Sequence, residues 1–151
     1  VGIEELSAGA LAARIQAAQG VVLVAGGDPA GHPDLASAFE GKEVAYIGTH
    51  DNATAAVAKL VLPGAMWAEK AGTFVNKQNR LQAFKQAVIR PGNAREDWRI
   101  LTEAMGNPEE FGSLRSVRVA LGDTLNLPEG INLNSLPTLG FLMGSGQEGE
   151  V

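Results

Sequence analysis

The chain has 151 residues, of which 12 are basic and 17 acidic, and its formal net charge is −5. This balance argues against nucleic-acid binding, which needs clustered basic charge. No apolar run approaches the length of a membrane span. The sequence contains no cysteine and only two histidines, which excludes thiolate-bound zinc, iron–sulfur clusters and disulfides within this chain. We therefore expect no metal site and no bound iron or molybdenum here.

The length fits one domain or part of one. The chain begins at Val1 rather than at methionine, which fits a piece of a longer protein. Its first residues lack the basic and then apolar order of a signal peptide.

The first half alternates predicted helices and strands. Helices are predicted at residues 6–18, 32–40 and 53–59 from their apolar spacing and capping residues. Continuous apolar runs predict strands at 21–25, 44–47 and 60–62. Such runs are typical of parallel strands that are buried on both faces. The predicted fold class is α/β: an open parallel sheet with helices on both faces, followed by a helical pair and an irregular C-terminal tail.

The second half predicts the helical pair. Asn93 and Glu96 form a capping box for a helix that carries Trp98, Leu101 and Met105 on one face and ends at Gly106. Pro108 suits the first position of a second helix, which we expect to end at Gly122. Residues 80–88 fit either a strand or an irregular segment. We divide the domain into an α/β part (1–92), the helical pair (93–122) and an extended tail (123–151).

The last residues match a dinucleotide-binding pattern in the spacing of their glycines alone. Residues 144–149 read Gly-Ser-Gly-Gln-Glu-Gly, which has the spacing Gly-x-Gly-x-x-Gly. No helix can follow them to hold a pyrophosphate, so we reject the motif and expect disorder.

Two loops that follow predicted strands form the candidate site. One is Gly26-Gly27-Asp28-Pro29, and the other runs from Thr49 to Asn52. Open α/β sheets place ligands at the carboxyl ends of their strands, where glycine allows close approach and a carboxylate can accept hydrogen bonds. The candidate nucleotide-binding residues are Gly26, Gly27, Asp28, Pro29, Thr49 and Asp51. The alternative is that both loops are ordinary turns and that Asp28 caps a helix.

The segment from Val61 to Arg80 is the other distinctive stretch. A strand ends at Pro63-Gly64, and a polar-aromatic segment follows. Glu69 and Arg80 could act as an acid and an anion-binding group, but we favour a structural pair. Three aromatic residues are interpreted as core or interface residues: Trp67, Phe74 and Trp98.

This segment resembles the molybdopterin oxidoreductase family. Members have a strand ending in Val-Leu-Pro, then Glu, then Gly-Thr-Phe-x-Asn, then Arg, and later Pro-Gly-x-Ala-Arg-x-Asp-Trp. The corresponding residues are Val61-Leu62-Pro63, Glu69, Gly72-Thr73-Phe74-Val75-Asn76, Arg80, Pro91-Gly92, Ala94-Arg95 and Asp97-Trp98. The chain departs from the pattern at Gln78-Asn79, where the family has Glu-Gly. Since asparagine tolerates a positive φ, we expect Asn79 to preserve the turn.

Within the family, the order of motifs is most similar to the branch of the large iron–sulfur subunit of NADH:quinone oxidoreductase (respiratory complex I). This resemblance implies a scaffold part that lacks the pterin and any catalytic residue. It also implies iron–sulfur clusters in an absent N-terminal part, contacts with its own subunit and other peripheral-arm subunits, and a place on the cytoplasmic side of the inner membrane.

Two other functions stay open at this point. One is the nucleotide-binding half of a formate dehydrogenase-like or nitrate reductase-like enzyme, in which Gly-x-Asn/Asp-Pro faces a molybdopterin guanine dinucleotide. The other is a free-standing α/β binding module. The motifs that both branches share cannot separate the first two possibilities.

Overall fold

The computed structural model describes residues 5–124, 127 and 130–143, and at Asp123 the backbone alone. The chain divides into two compact units. The first unit extends to Ala65 and includes Asn93–Asp97, and the second holds Met66–Gly92 and the residues from Trp98 onward. The predicted boundaries at residues 92 and 122 stay a prediction, and the expectation of disorder at 144–149 concerns residues outside the described ranges.

The first unit contains a parallel sheet. Its strands are adjacent in chain order: β1 (Val22–Ala25), β2 (Val44–Gly48) and β3 (Leu60–Pro63). Both neighbouring pairs are parallel, with Val22 opposite Val44 and Ala45 opposite Leu60. Two helices accompany the sheet, α1 (Ala8–Ala17) and α2 (Ala53–Val57). The predicted α/β class with an open parallel sheet and helices is confirmed.

The main apolar core of the first unit lies on one face of this sheet. Residues that alternate along a strand share a face, so Val22, Val24 and Val44 point to the same side. They pack with Ile15 of α1 and with the connection between β1 and β2, which contributes Ala30, Leu35, Ala38 and Phe39. On the opposite face, Ile47 is 1% exposed, whereas Leu23 and Leu60 are about half exposed.

The helix predicted at residues 32–40 is wrong. The structure has two short 3-10 turns instead, Pro29–Gly31 and Ala36–Phe39. Only seven residues separate Pro33 from Gly41, whose φ of 69° is not helical, and so short a segment favours single 3-10 turns over an α-helix. Leu35, Ala38 and Phe39 are nevertheless buried. The periodicity therefore identified the buried side chains correctly and the type of backbone incorrectly.

The end of β3 is joined by a later part of the chain. Gly64 forms a parallel bridge with Arg95. The Arg95 N–H donates to the Pro63 carbonyl at 3.1 Å, and the Ala65 N–H donates to the Arg95 carbonyl at 2.7 Å. The chain thus returns to the first unit at Arg95, next to the point where it left this unit at Ala65.

The second unit contains an antiparallel sheet. Its strands follow in order: β4 (Gly72–Val75), β5 (Arg80–Phe84) and β6 (Phe141–Leu142). Residues 80–84 are therefore a strand, and two residues of the predicted tail pair with it. In the turn between β4 and β5, the Asn76 Oδ1 accepts from the N–H groups of Gln78 and Arg80. Asn79 has a φ of 55°, which confirms the conformation expected of it.

The helical pair differs from its prediction at all four ends. The capping box predicted at Asn93 and Glu96 is wrong, because the first helix of the pair begins only at Asp97 and Arg95 bridges to Gly64 instead. Helix α3 is Asp97–Ala104, so Met105 falls beyond the regular helix and is 67% exposed, not part of an apolar face. Gly106, with a φ of 77°, follows as the predicted stop. Helix α4 is Leu114–Thr124 and runs through Gly122. Its start depends on Ser113, whose hydroxyl accepts from the Ser116 N–H at 3.2 Å.

Trp98 is half-buried rather than fully buried, and the Arg99 guanidinium lies 4.7 Å from the centre of its ring. Its indole N–H is buried without a hydrogen-bond partner. Across the described ranges, each helix is too short or too polar to cross a bilayer.

Candidate functional site at the carboxyl ends of the parallel strands

The two candidate loops lie side by side at one edge of the parallel sheet. The first follows β1, and the second follows β2, its parallel neighbour. The Gly26 N–H donates to the Ile47 carbonyl at 2.8 Å, which joins the start of the first loop to β2. Gly26 and Gly27 have φ values of 72° and 69°. This left-handed conformation favours glycine, so the two glycines set the path of the loop.

Asp28 binds the start of the next helix. Its Oδ1 accepts from the backbone N–H and from the hydroxyl of Thr54, both at 2.8 Å. Thr54 lies in the first turn of α2 and is completely buried. Its hydroxyl oxygen also accepts from the Ala30 N–H at 3.0 Å. One carboxylate oxygen thus links the first loop to α2, while the Asp28 residue as a whole stays exposed.

The hydrogen bonds to Thr54 favour the ionised form of Asp28. The Thr54 hydroxyl is the largest cause, followed by the Thr54 N–H, and together they lower the pKa of Asp28 below its usual value. Partial burial acts in the opposite direction and is weaker. The carboxylate is therefore charged at neutral pH and acts as an acceptor only.

Asn52 and Tyr46 connect the two loops by hydrogen bonds. The Asn52 side chain caps α2 through its Oδ1, which accepts from the Ala55 N–H at 2.8 Å. Its amide donates to the Gly27 carbonyl at 3.2 Å and to the Tyr46 hydroxyl at 2.8 Å. The Tyr46 hydroxyl donates to the same Gly27 carbonyl at 3.2 Å. Three polar groups at the sheet edge are therefore paired with one another.

Gly48 makes room for the tyrosine ring. A Cβ at this position would lie 2.1 Å from Cζ of Tyr46. Tyr46 is 3% exposed, so its ring fills the space over the end of β2. The Tyr46 ring thus packs against the last residue of its own strand, beside the edge of the sheet where both candidate loops begin.

The structure brings together only part of the predicted site. Gly26, Gly27 and Asp28 connect to the second loop and to α2, whereas Thr49 and Asp51 lie exposed beyond them. The Thr49 hydroxyl pairs with Nδ1 of the adjacent His50 at 2.8 Å. The sequence reasoning missed Tyr46 and Thr54 as site residues. Thr54 stands two positions after the predicted cap Asn52, and that spacing was the available signal for it.

These two loops supply no basic side chain to a dinucleotide pyrophosphate. Both loops carry carboxylates, Asp28 and Asp51, and neither contains lysine or arginine. A phosphate group needs basic side chains or free backbone N–H groups, and two carboxylates beside it would repel it. The exposed side of Asp28 could still accept from the N–H groups of a guanine base. In the part of the chain that the structure describes, no group of carboxylates and histidines could hold a metal ion.

Glu69 and Arg80 do not form the predicted pair, because each has its own backbone partner. Glu69 is 9% exposed, and its Oε2 accepts from the Met66 N–H at 2.9 Å. Arg80 donates to the Leu139 carbonyl at 3.2 Å. Both residues hold backbone in place, by capping a 3-10 turn (Trp67–Glu69) and by fixing the approach to β6.

These features define an open α/β domain whose two candidate ligand-binding loops follow the carboxyl ends of neighbouring parallel strands. A family model for the molybdopterin oxidoreductases matches residues 11–106. The chain belongs to the molybdopterin oxidoreductase family.

Several curated proteins are similar over part of the chain. The 78 kDa subunit of the mitochondrial NADH-ubiquinone oxidoreductase of Candida albicans is 41% identical over 83 residues, which are 53% of this chain and 12% of that subunit. The 75 kDa subunit of the NADH-ubiquinone oxidoreductase of Reclinomonas americana is 45% identical over 77 residues, 49% of this chain and 11% of the subunit.

A second type of relative matches a shorter stretch at higher identity. The F420-dependent formate dehydrogenase 1 subunit alpha of Methanococcus maripaludis is 54% identical over 61 residues, 38% of this chain and 9% of that subunit. The matched stretches thus span only about a tenth of these relatives.

Proposed function

We propose that this chain is a cofactor-free structural part of the large iron–sulfur subunit of an NADH:quinone oxidoreductase, where it scaffolds the peripheral electron-transfer arm. The similarity to NADH-ubiquinone oxidoreductase subunits supports the assignment to this complex. The observation that carries the structural role is the internal pairing of the polar groups at the strand ends, where Tyr46, Asn52 and Thr54 engage the backbone and carboxylate that a nucleotide would need.

On this proposal the chain contains no catalytic centre. The iron–sulfur clusters belong to another part of the parent subunit. The partners are the remainder of that subunit and neighbouring subunits of the arm, on the cytoplasmic side of the inner membrane and without a membrane span in this chain. Nucleic acid is not a partner, since the net charge is −5.

The alternative is the nucleotide-binding half of an enzyme that holds a molybdopterin guanine dinucleotide, such as a formate dehydrogenase or a nitrate reductase. Two observations favour it. The identity to a formate dehydrogenase subunit is 54% over the matched residues. Asp28 also presents an exposed carboxylate at the carboxyl edge of the sheet, where guanine could donate to it.

Calorimetric titration of the intact parent subunit with GMP and GDP separates the two functions. The structural role predicts no binding at micromolar concentrations. The alternative predicts micromolar binding that Asp28→Ala weakens by about tenfold or more, the scale of one charged hydrogen bond. Asp34→Ala serves as the matched control, because it removes the same kind of side chain from a residue that lies outside both loops and is well exposed.

Elemental analysis of the same parent subunit gives a second readout. The alternative requires stoichiometric molybdenum, and the structural role requires iron without molybdenum. Molybdenum together with Asp28-dependent nucleotide binding would overturn the proposal.

A further inference from the structure

The antiparallel sheet of the second unit presents an aromatic face. Cross-strand partners in an antiparallel pair share a face, so the register places Phe74, Gln82 and Phe84 on one side, together with Arg80 and Leu142. The rings of Phe74 and Phe84 are stacked, with centroids 4.5 Å apart and planes 11° from parallel. Phe74 and Leu142 are each 54% exposed. We call these five residues the aromatic face.

Glycine makes this stack possible. Gly72 lies opposite Phe84, and a Cβ at Gly72 would be 2.6 Å from Cζ of that ring. The tip of the Phe84 ring therefore approaches the backbone of β4 at Gly72, and one face of this ring stacks on Phe74. Phe74 is half exposed and Phe84 is partly buried, so the pair leaves apolar area in water that is stabilised when a partner covers it.

The segment that contains most of the aromatic face differs in charge from the chain as a whole. Residues 66–92 contain five basic residues and one acidic residue, whereas the chain contains 12 basic and 17 acidic residues. The basic residues are Lys70, Lys77, Arg80, Lys85 and Arg90. The acidic one, Glu69, is 9% exposed and accepts from a backbone N–H. Residues 66–92 therefore carry a formal charge of +4 (five basic minus one acidic) in a chain of net charge −5, and Lys77, Arg80 and Lys85 lie in or next to β4 and β5.

Arg80 keeps donors available within the aromatic face. Among its described contacts, the hydrogen bond goes to a backbone carbonyl, that of Leu139. A guanidinium has five N–H donors in a planar fork, so this single bond leaves the fork able to bind a carboxylate.

We propose that the aromatic face docks a protein surface with an apolar centre and a rim of carboxylates, contributed by another subunit of the assembly. Phenylalanine and arginine are enriched at the centres of protein interfaces, and a basic rim selects an acidic partner. A second copy of the chain is disfavoured, since a two-fold contact would set two basic hairpins against each other. A lipid surface is disfavoured, because the aromatic face includes the polar side chains of Gln82 and Arg80, and removing these from water into a bilayer costs free energy.

This inference rests on the proposed function in one respect, that the chain works inside an assembly. The test replaces Phe74 with the photo-crosslinker p-benzoylphenylalanine in the intact parent, within its purified complex, and identifies the crosslinked peptide by mass spectrometry. The expected product joins position 74 to a peptide of another subunit that has aspartate or glutamate beside an apolar residue. Arg80→Glu should lower the yield by about tenfold, the effect of removing a central charged contact.

The control places the same crosslinker at Met105, which is also apolar and is 67% exposed but lies outside the sheet. Equal yields at positions 74 and 105, a product with lipid, a product with a second copy of this chain, a product with another part of its own subunit, or no product at all would each overturn the docking site. Recovery of the subunit in the complex is measured in the same preparation. A subunit that never joins the complex contradicts the proposed function, whereas an assembled subunit without the crosslink contradicts the docking site alone.

Discussion

The two units bury their apolar residues to different extents. Of the thirteen buried apolar residues that the structure describes, ten lie in the parallel-sheet unit, and the second unit contributes Leu81, Ile100 and Leu133. The first unit also satisfies the polar groups at its strand ends internally. The second unit exposes stacked rings on its sheet. The first unit therefore holds most of the buried apolar side chains, while the second unit leaves Phe74 and Leu142 of its sheet half exposed.

The largest effect should come from the core of the first unit. Ile47 is 1% exposed in the central strand, so Ile47→Ala should lower the free energy of unfolding by about 3 kcal/mol through lost burial and a cavity. Leu139, in the second unit, is 78% exposed, so Leu139→Ala should change it by less than about 0.5 kcal/mol. Urea titration measures the free energy of unfolding of both variants. Equal losses would show that burial in the first unit contributes no more stability than an exposed leucine of the second.

The buried polar network should give the next largest effect. Thr54→Val keeps the shape of the side chain but removes the hydroxyl that Ala30 N–H and Asp28 both use. A buried donor without a partner costs about 1–3 kcal/mol, and we expect a loss in that range by urea titration. Thr124→Val is the matched control, because its exposed hydroxyl only donates to a carbonyl of its own helix. A loss no larger than the control's would show that the network adds no stability.

A smaller effect is expected in the turn of the second unit. Asn79 has a φ of 55°, where a side chain with a Cβ is strained by about 1 kcal/mol relative to glycine. Asn79→Gly should therefore keep or slightly raise the melting temperature, and Asn79→Ala should lower it. Thermal unfolding followed by circular dichroism ranks the three proteins. If the alanine and glycine variants have the same melting temperature, the turn relaxes in solution and the positive φ of residue 79 does not limit the stability of the second sheet.

The smallest effect should come from Asp28, because this residue is exposed. Its pKa is lowered in the folded protein, mainly by the Thr54 hydroxyl. The stabilisation is therefore fully present above the unfolded pKa of about 4 and is lost as the pH falls through the folded pKa. The wild type should lose stability on acidification more steeply than Asp28→Asn. Urea titrations at successive pH values measure this, and parallel curves would contradict it.

The sequence predicted the first unit well because its signals are local. Continuous apolar runs identified all three parallel strands, and Asn52 identified the start of α2. The β1–β2 connection failed because apolar spacing reports which side chains are buried and does not distinguish an α-helix from 3-10 turns near proline. In the second unit, the prediction of α4 placed its start at Pro108, but Ser113 supplies the cap in the structure.

The candidate site was only partly predictable. Gly26, Gly27 and Asp28 stand at the positions where parallel sheets place ligands, and the sequence identified them for that reason. The partners of Asp28 could not be read with the same certainty, because Thr54 is 26 residues away and the contact depends on the packing of α2 against the β1 loop. Tyr46 was assigned to a strand, and nothing in the sequence indicates that its ring folds over Gly48.

The bridge between Gly64 and Arg95 has a topological consequence. The chain leaves the parallel sheet at Ala65 and returns at Arg95, and hydrogen bonds of 2.7 and 3.1 Å join the exit and the return. Because the two ends are neighbours, the intervening residues behave as an insert in the connectivity of the sheet. The entropy of closing such an excursion grows only slowly with its length. The hairpin could therefore be shortened, lengthened or exchanged for a different module while the path of β3 and the return at Arg95 stay the same.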